Sequence, residues 1–280
     1  MRLARYGEPG AEKPGLVDGD GTLRDLSGLI PDVAEAALAP ESLALLAKRD
    51  PSSLPAVPGT PRLGPCVGRV GKLVCIGLNY TDHAAELNMD LPHEPVIFMK
   101  ATSAICGAGD DVLMPPGSQK TDFEVELAIV IGTGGRDISE DAAARHIAGY
   151  CICNDVTERD FQFAHAGQWT KGKSCDTFAP LGPWLVTADA VADPMALDLA
   201  LRVNGRVLQS GSTRTMHVGP VALVSYVSRF MSLQPGDVIS TGTPPGVGMG
   251  HDPQVFLRDG DLMEAEIAGL GRQVNRIRAL

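Results

Sequence analysis

Short apolar runs separated by turn residues predict a chain built mainly of β-strands. The runs of strand length are LVCIG (73–77), VIFMK (96–100), FEVELAIVIG (123–132), YCICND (150–155), DVIST (237–241) and LMEAEIAGL (262–270). Two further runs, LALRV and RVLQSG, flank the dipeptide Asn204-Gly205. Because Asn-Gly suits a type I′ turn, residues 199–211 are expected to form a β-hairpin.

The pattern predicts few helices. Helical spacing occurs in SEDAAARHIAG (139–149), with Ser139 as N-cap and Gly149 as stop, in PVALVSYVSRFMSL (220–233), and as a short turn in TDHAAELN (81–88). Strands do not alternate regularly with helices, so a doubly wound nucleotide-binding fold is not supported.

The N-terminal region differs from the rest of the chain in its pattern of expected strands, turns and helices. Residues 1–48 combine a strand-like start, two turns and a helical stretch, and the Pro- and Gly-rich segment 51–65 reads as a connector. We therefore predict a small N-terminal domain with its connector over 1–66, and a larger domain over 67–280.

Composition narrows the function classes. The 280 residues are 44% hydrophobic and carry a net charge of −10, with no Lys/Arg tract, which disfavours a nucleic-acid partner. The start, MRLARYGEPG, lacks the apolar core of a secretory signal, and no run approaches the ~18 apolar residues of a membrane helix. The six cysteines form no C-x-x-C pair, so we expect a cytoplasmic protein in a reducing environment.

A pair of glutamates interrupts one of the apolar strands. Glu124 and Glu126 are two residues apart, so on a strand they share one face, together with Ala128 and Val130. Burying both carboxylates costs several kcal/mol per ion unless they are protonated, paired with basic groups or bound to a cation. The alternative is a sheet face that is open to water.

A second pair with the same spacing and one further acid bear on that choice. Glu264 and Glu266 lie near the C-terminus, where an exposed edge strand is a sufficient explanation. The first pair differs because Asp155 ends the neighbouring apolar run YCICND. Three carboxylates completed by water are what Mg²⁺ or Mn²⁺ prefers, and no zinc motif is present. The sequence therefore suggests a hard-metal site.

Two loops have the composition of anion-binding segments. GQWTKGKS (167–174) satisfies the P-loop pattern, but Pro180 and Pro183 follow where that motif needs a helix, so we interpret the match as coincidental. TGTPPGVGMG (241–250) is a rigid Gly-rich loop able to offer backbone N–H groups to an anion, or a plain turn.

The stretch LNYTDHAAELN contains a candidate general base. His83 and Glu86 are three residues apart and therefore neighbours on a helical turn. A carboxylate beside an imidazole fixes its tautomer and raises its basicity, as a water-activating base requires. The same spacing is also common in simple surface pairs.

Together these stretches resemble the fumarylacetoacetate hydrolase family, in its short-chain branch. The matching stretches, over about residues 70–270, are GLNYTDHAAEL, PVIFMKATSAICG, DFEVELAIVIG, GYCICNDVTERDFQ, WTKGKSCDTFAPLGPW, VNGRVLQSG and ISTGTPPGVG. The first residues are similar to a subgroup associated with 2,4-diketo-3-deoxy sugar acids. The resemblance implies an α+β, mostly β fold, a mixed β-roll with a small N-terminal domain and a catalytic domain, usually as a homodimer.

The resemblance also implies roles for individual residues. Glu124, Glu126 and Asp155 correspond to the ligands of Mg²⁺ or Mn²⁺. His83 and Glu86 correspond to the dyad that activates water. Some family members carry a fourth acidic ligand upstream, which has no clear counterpart in this sequence.

Further positions correspond to groups that contact the substrate. Lys173, in the GKS stretch, matches a lysine that polarises substrate oxygens. The positions where the family contacts substrate or metal-bound water are Lys100, Arg159, Gln162 and Thr243.

The implied reaction is metal-dependent hydrolysis of the C–C bond of a small 2,4-diketo acid of the acylpyruvate type. His83, oriented by Glu86, would deprotonate a water that attacks C4, and the cation and Lys173 would stabilise the enolate left at C3. Pyruvate and a carboxylic acid would be released. The alternatives are decarboxylation or keto–enol isomerisation of a 2-oxo diacid, a non-catalytic metal-stabilised scaffold and, least supported, a P-loop nucleotide-binding protein.

Overall fold

The apolar runs of the sequence form strands in the computed structural model, which describes residues 1–164 and 166–280. The strands are β1 (Arg2–Tyr6), β2 (Lys13–Val17), β3 (Leu23–Asp25), β4 (Leu73–Gly77), β5 (Val96–Lys100), β6 (Ile105–Cys106), β7 (Val112–Met114), β8 (Thr121–Asp122), β9 (Val125–Ile131), β10 (Ile147–Asn154), β11 (Thr157–Glu158), β12 (Ala179–Thr187), β13 (Asp198–Val203), β14 (Arg206–Ser212), β15 (Val238–Ser240), β16 (Leu262–Ile267) and β17 (Gly271–Ala279). The α-helices are α1 (Pro40–Ala47), α2 (Thr81–Glu86), α3 (Glu140–Ala143), α4 (Arg159–Phe163), α5 (Thr170–Lys173) and α6 (Pro220–Ser228). Short 3₁₀ segments cover Glu35–Leu38, Pro51–Ser53, Thr102–Ala104, Ala144–His146, Ala188–Ala190, Thr213–Thr215 and Gly248–Gly250.

The main sheet is mixed and has ten strands in the order β3-β2-β1-β12-β10-β9-β15-β4-β5, with β6 beside β12. β15 runs parallel to β4, and β6 runs parallel to β12, whereas the other neighbours are antiparallel. β9 and β10 lie in the middle and are buried along their whole length. Burial of both faces explains why these strands read as nearly continuous apolar runs.

The second sheet has five strands in the order β14-β13-β16-β17-β7. Its β16 and β17 contact β10 and β12 of the main sheet, and the side chains between the two sheets belong to one continuous apolar core. A two-stranded β8–β11 ladder lies beside the ends of β9 and β10. The predicted α+β, mostly β architecture with mixed sheets is therefore confirmed.

The N-terminal strands continue the main sheet, because β1 pairs with β12. Residue Arg2 lies opposite Val186 and Leu3 opposite Leu185. The domain boundary at residue 66 stays a prediction.

The hairpin prediction is confirmed, and one helix prediction is wrong. Asn204 and Gly205 have φ values of 51° and 79°, the positive angles that a type I′ turn requires. The helix expected over 139–149 is limited to α3 and one 3₁₀ turn, and Gly149 lies within β10. A Cβ on Gly149 would collide with the carbonyl oxygen of Val186, so this glycine permits close strand approach and does not stop a helix.

The interpretation of the second glutamate pair also needs correction. Its strand, β16, pairs with β13 on one side and with β17 on the other, so it is not an edge strand. The two carboxylates are nevertheless on the outer face, with Glu264 17% and Glu266 48% exposed.

Among the residues that the structure describes, none of the helices is both long and apolar enough to cross a membrane.

Candidate metal centre and active site

Three buried carboxylates converge at one end of the central strands. Asn154 lies opposite Val125 in the β9–β10 ladder, which places Glu124, just before β9, beside Asp155, just after β10. Glu126 is the second residue of β9. One oxygen from each of the three carboxylates lies within 4.8 Å of the others, and none of the residues is more than 6% exposed.

Two of the three carboxylates have cationic partners. Glu124 accepts from Lys173 Nζ at 2.8 Å and pairs with Arg159 Nη2 at 2.7 Å. Asp155 accepts from Lys100 Nζ at 2.5 Å and from Lys173 Nζ at 2.7 Å. The lysines and the arginine thus neutralise much of the buried negative charge.

Glu126 has no cation within ion-pair distance among the described residues. Its carboxylate accepts from the Ser240 hydroxyl at 2.5 Å and from the Gly242 N–H at 3.0 Å. Burial, reinforced by the charges of Asp155 and Glu124, raises the pKa of Glu126 well above its usual value. For Glu124, attraction to nearby cations outweighs burial and lowers the pKa to about 2.

This arrangement fits a divalent cation. The donors are carboxylate oxygens, which Mg²⁺ and Mn²⁺ prefer, and among the described residues Glu126 is the carboxylate of the triad without a cationic partner. A dication held by Glu124, Glu126 and Asp155 would supply the charge that Glu126 lacks. A buried carboxylate without such a partner is costly.

The predicted His–Glu pair is formed. His83 Nδ1 lies 2.9 Å from Glu86 Oε2, and His83 is only 6% exposed, so the pair is not a simple surface contact. Glu86 Oε1 accepts from the Gly246 N–H at 2.8 Å. Burial opposes ionisation of Glu86, but these two hydrogen bonds outweigh it and lower the pKa of Glu86. The carboxylate is therefore held charged beside the imidazole.

One cavity of about 210 Å³ adjoins the triad and the His–Glu pair. The predicted residues that line it are His83, Glu124, Glu126, Arg159, Gln162, Lys173 and Thr243. Asp155 and Lys100 lie behind this surface, where Lys100 Nζ also donates to the carbonyl of Val156 at 2.9 Å. All the predicted side chains therefore assemble in one region, and their individual roles stay predictions.

Lys173 reaches the carboxylates from a single helical turn. α5 is four residues long and is not the extended helix of a P-loop. A Cβ on Gly172 would lie 2.5 Å from the backbone nitrogen of Gln162, so this glycine lets α5 pack closely on α4. The lysine is thereby directed at Glu124 and Asp155.

The Gly-rich loop 241–250 donates its N–H groups to carboxylates of the protein itself. Gly242 donates to Glu126, and Gly246 donates to Glu86. The loop therefore connects a predicted metal ligand to the histidine partner.

Asp122 is a member of the site that sequence reasoning missed. This fully buried carboxylate accepts from the N–H groups of Gly248 at 2.6 Å and Met249 at 3.0 Å, and from Arg159 Nε at 2.8 Å. Arg159 Nη1 in turn donates to Gln162 Oε1 at 3.0 Å. The only signal in the sequence was an acid two residues before Glu124.

Gln209 was also missed, and it bears on Thr243. The Thr243 hydroxyl donates to the carbonyl of Val125 at 2.9 Å and accepts from Gln209 Nε2 at 2.8 Å. Gln209 Oε1 accepts from the Val125 N–H at 2.9 Å. The hydroxyl proton of Thr243 is therefore committed to the fold.

Comparison with known proteins agrees with this geometry. The profile of the family described as "Fumarylacetoacetate (FAA) hydrolase C-terminal" matches residues 72–278. A protein of Burkholderia multivorans, named as a hydrolase without a stated substrate, is 55% identical over 280 residues, covering 100% of this chain and 99% of its own.

Solved structures share the whole fold. Fumarylacetoacetate hydrolase from Exiguobacterium antarcticum superposes with a TM-score of 0.86 at 37% identity, covering 100% of both chains. 5-carboxymethyl-2-hydroxymuconate delta-isomerase from Mycobacterium smegmatis has a TM-score of 0.79 at 34% identity, covering 100% of this chain and 99% of its own. Maleylpyruvate hydrolase from Sphingobium sp. SYK-6, in complex with manganese (II) ion and pyruvate, has a TM-score of 0.83 at 29% identity with the same coverage. The family match, the full-length relatives and the shared fold together show that this chain belongs to the fumarylacetoacetate hydrolase family.

Proposed function

We propose that this protein is a divalent-metal-dependent hydrolase that cleaves the C–C bond of a 2,4-diketo acid of the acylpyruvate type, releasing pyruvate and a carboxylic acid. One observation carries the proposal: two carboxylates of a buried triad, the histidine of a His–Glu dyad and a buried lysine line the same cavity. The manganese ion and pyruvate in the related maleylpyruvate hydrolase support it.

The dyad supplies the proton transfers of hydrolysis. Donation from His83 Nδ1 to Glu86 leaves Nε2 free to take a proton from the water that attacks C4. The C3–C4 bond then breaks, its electron pair stays on C3 as an enolate, and the proton returns to C3. One water is consumed, and no other reactant is needed.

Lys173 stabilises the developing negative charge. Burial favours its neutral form, but Asp155 and Glu124 outweigh burial and raise the pKa of Lys173, so it acts as a cation and not as a base. Arg159 adds a second fixed charge at the cavity wall. A divalent cation, when bound by Glu124, Glu126 and Asp155, supplies Lewis-acid stabilisation of the same enolate.

The decisive experiment measures pyruvate release from a panel of acylpyruvates with and without a chelator. We expect release that stops on chelation and returns when Mg²⁺ or Mn²⁺ is added back. Release that persists with chelator, from protein shown to be metal-free by elemental analysis, would refute the metal-dependent mechanism.

A second candidate is keto–enol isomerisation or decarboxylation of a 2-oxo diacid. It is favoured by the likeness to the delta-isomerase, because the same dyad can move a proton between carbon atoms without a nucleophilic water. Reactions run in ¹⁸O-labelled water separate the two. Hydrolysis places the label in the new carboxylic acid, whereas neither isomerisation nor decarboxylation forms a new carboxyl group.

We also propose that the protein acts as a homodimer, as family resemblance implies. Light scattering coupled to size-exclusion chromatography tests this directly, with a mass of twice 29.4 kDa expected. A monomer with full activity would mean that dimerisation is not required for the reaction.

A further inference from the structure

We propose that the group attached to C4 of the substrate is an extended apolar chain or ring, and not a sugar-acid or carboxylate-bearing tail. This inference rests on the proposed function, since it describes the second half of the same substrate. It differs from the sugar-acid expectation that the first residues of the chain raised.

The cavity has a polar base and an apolar outer wall. The side chains that form the outer wall are Leu87, Met89, Phe98, Phe163, Trp169 and Met249. They come from β5, α4, the 3₁₀ segment Gly248–Gly250 and the segments that follow α2 and precede α5, so separate parts of the chain supply the same chemistry. Met89 and Phe163 are 49% and 52% exposed, which leaves apolar surface for a ligand to cover.

The aromatic side chains of the wall are closely packed. The rings of Phe98 and Trp169 meet edge to face with centroids 5.3 Å apart. A Cβ on Gly77 would lie 2.8 Å from Trp169 Cζ3, so the glycine makes the space that the indole fills. Lys173 Nζ lies 5.0 Å from the Phe98 ring centroid, which places the aromatic wall directly beside the proposed catalytic lysine. A C4 substituent that extends outward from Lys173 would therefore have aromatic carbon beside it.

The cavity wall offers few ion-pair or hydrogen-bond partners to a polar substrate tail. Among the described residues that line the cavity, the permanently charged cations are Arg159 and Lys173, and each is already paired with carboxylates. A tail carboxylate would therefore compete with buried ion pairs. Tail hydroxyls would lose water without gaining hydrogen bonds from the apolar side chains.

Two series of compounds test the inference. The first is 2,4-diketo acids with linear alkyl tails, an aryl tail, a carboxylate-terminated tail and a polyhydroxylated tail, with acetylpyruvate as the short reference. We expect kcat/KM to rise about fourfold per added methylene until the wall is covered, and polar tails to lie at least roughly tenfold below apolar tails of equal length.

The second series consists of 2-oxo acids with the same tails but without the 4-oxo group. They cannot be cleaved, so calorimetry on the Mn²⁺-loaded protein measures binding alone. Tighter binding with apolar length, together with no pyruvate release from any diketo acid, would refute the proposed function and keep the apolar tail site. Equal or better binding and turnover of carboxylate or hydroxylated tails would overturn the inference and leave the hydrolase proposal intact.

Variants locate the tail within the protein. Trp169→Ala should reduce the ratio of kcat/KM between a six-carbon tail and acetylpyruvate by about tenfold, mostly through KM, and Trp169→Phe should restore most of it. Met89→Lys should shift preference toward the carboxylate-terminated tail by roughly tenfold.

A matched control is Met99→Lys, because Met99 is also partly exposed, at 37%, and lies on β5 outside the cavity lining. It should leave tail preference unchanged. If Trp169→Ala and Met89→Lys leave the kcat/KM ratios between tails unchanged, the tail does not lie on this wall. The same conclusion follows if Met99→Lys changes those ratios equally.

Discussion

Two pairs of glutamates with identical spacing occupy the two sheets of this protein and have opposite environments. Glu124 and Glu126 are at most 6% exposed, beside the apolar core of the main sheet. Glu264 and Glu266 lie on the outer face of the second sheet, where Arg272 pairs with Glu264 at 3.0 Å. Spacing alone thus places carboxylates side by side but does not decide what neutralises them.

The surroundings of each pair decide its chemistry. On the outer face water screens the repulsion, so partly exposed arginines contribute little to stability. In the interior the same repulsion is met by a buried lysine and an arginine on Glu124 and by one hydroxyl and one N–H group that donate to Glu126. Glu126 is still left without a cation among the described residues. An interior pair of this kind is suited to bind a metal ion.

Removing Glu126, the interior carboxylate without a cationic partner among the described residues, should have the largest effect. Glu126→Gln takes away one metal ligand charge, worth at least about 4 kcal/mol at an effective dielectric constant of 20, so metal affinity should fall roughly 10³-fold or more. Calorimetric titration with Mn²⁺ measures this, and activity should fall in parallel.

The matched control for that variant is Glu266→Gln, which should leave metal affinity within twofold of the wild type. In metal-free protein Glu126→Gln should not lower the free energy of unfolding, because Glu126 forms hydrogen bonds but no ion pair within the described part of the chain. Equal metal affinity in both variants would mean that the interior pair is not a ligand set.

Loss of the His83–Glu86 dyad should have the second largest effect. His83→Ala should lower kcat by roughly 10²–10⁴-fold, the usual contribution of general-base catalysis, while Mn²⁺ affinity stays the same. The control is His146→Ala, since His146 is partly exposed, lies outside the cavity lining and hydrogen-bonds through its ring to the Thr133 carbonyl. Full activity of the His83 variant would assign proton transfer to another group.

Asp122 should have an intermediate effect, because it acts through Arg159 and the Gly-rich loop. Asp122→Asn keeps the size but weakens three charge-assisted hydrogen bonds, so kcat/KM should fall roughly 10–100-fold. A positioning role requires that the loss be largely in kcat with metal affinity retained.

Asp160→Asn provides the comparison for Asp122. Asp160 pairs with Lys120 on the surface, and both side chains are about half exposed, so its replacement should barely change the free energy of unfolding and should leave activity unchanged. If both variants lose only stability, by thermal denaturation, and neither loses kcat, Asp122 is structural and does not position Arg159.

Substitutions at the outer glutamate pair should have the smallest effect. A double-mutant cycle on Arg272 and Glu264, measured by chemical denaturation, should give a coupling energy below about 1 kcal/mol that shrinks at high salt. A coupling of several kcal/mol, insensitive to salt, would show that the outer face is less hydrated than its exposure indicates.

Much of the site was accessible from the sequence, because its signals are local. Apolar runs located β4, β5, β9 and β10, and the acids at the ends of β9 and β10 pointed to the triad. The three-residue spacing of His83 and Glu86 was sufficient to predict their contact. Family resemblance added Lys173, which no local pattern relates to the triad.

Other features depended on contacts between distant parts of the chain. Asp122 meets Gly248 across 126 positions, and Gln209 meets Val125 across 84. Gly149 looked like a helix stop, but strand pairing with β12 made it a point of close approach. Such pairings cannot be read from local composition.

The sequence by itself determined which residues are apolar, which acids are adjacent on a strand and where the hairpin turns. Only the tertiary structure decided which glutamate pair is buried, which carboxylates receive the N–H groups of the loop and which side chains surround the cavity. The physical reason is that burial and electrostatic compensation are set by neighbours far away in sequence, whereas strand periodicity is set by the backbone of each segment.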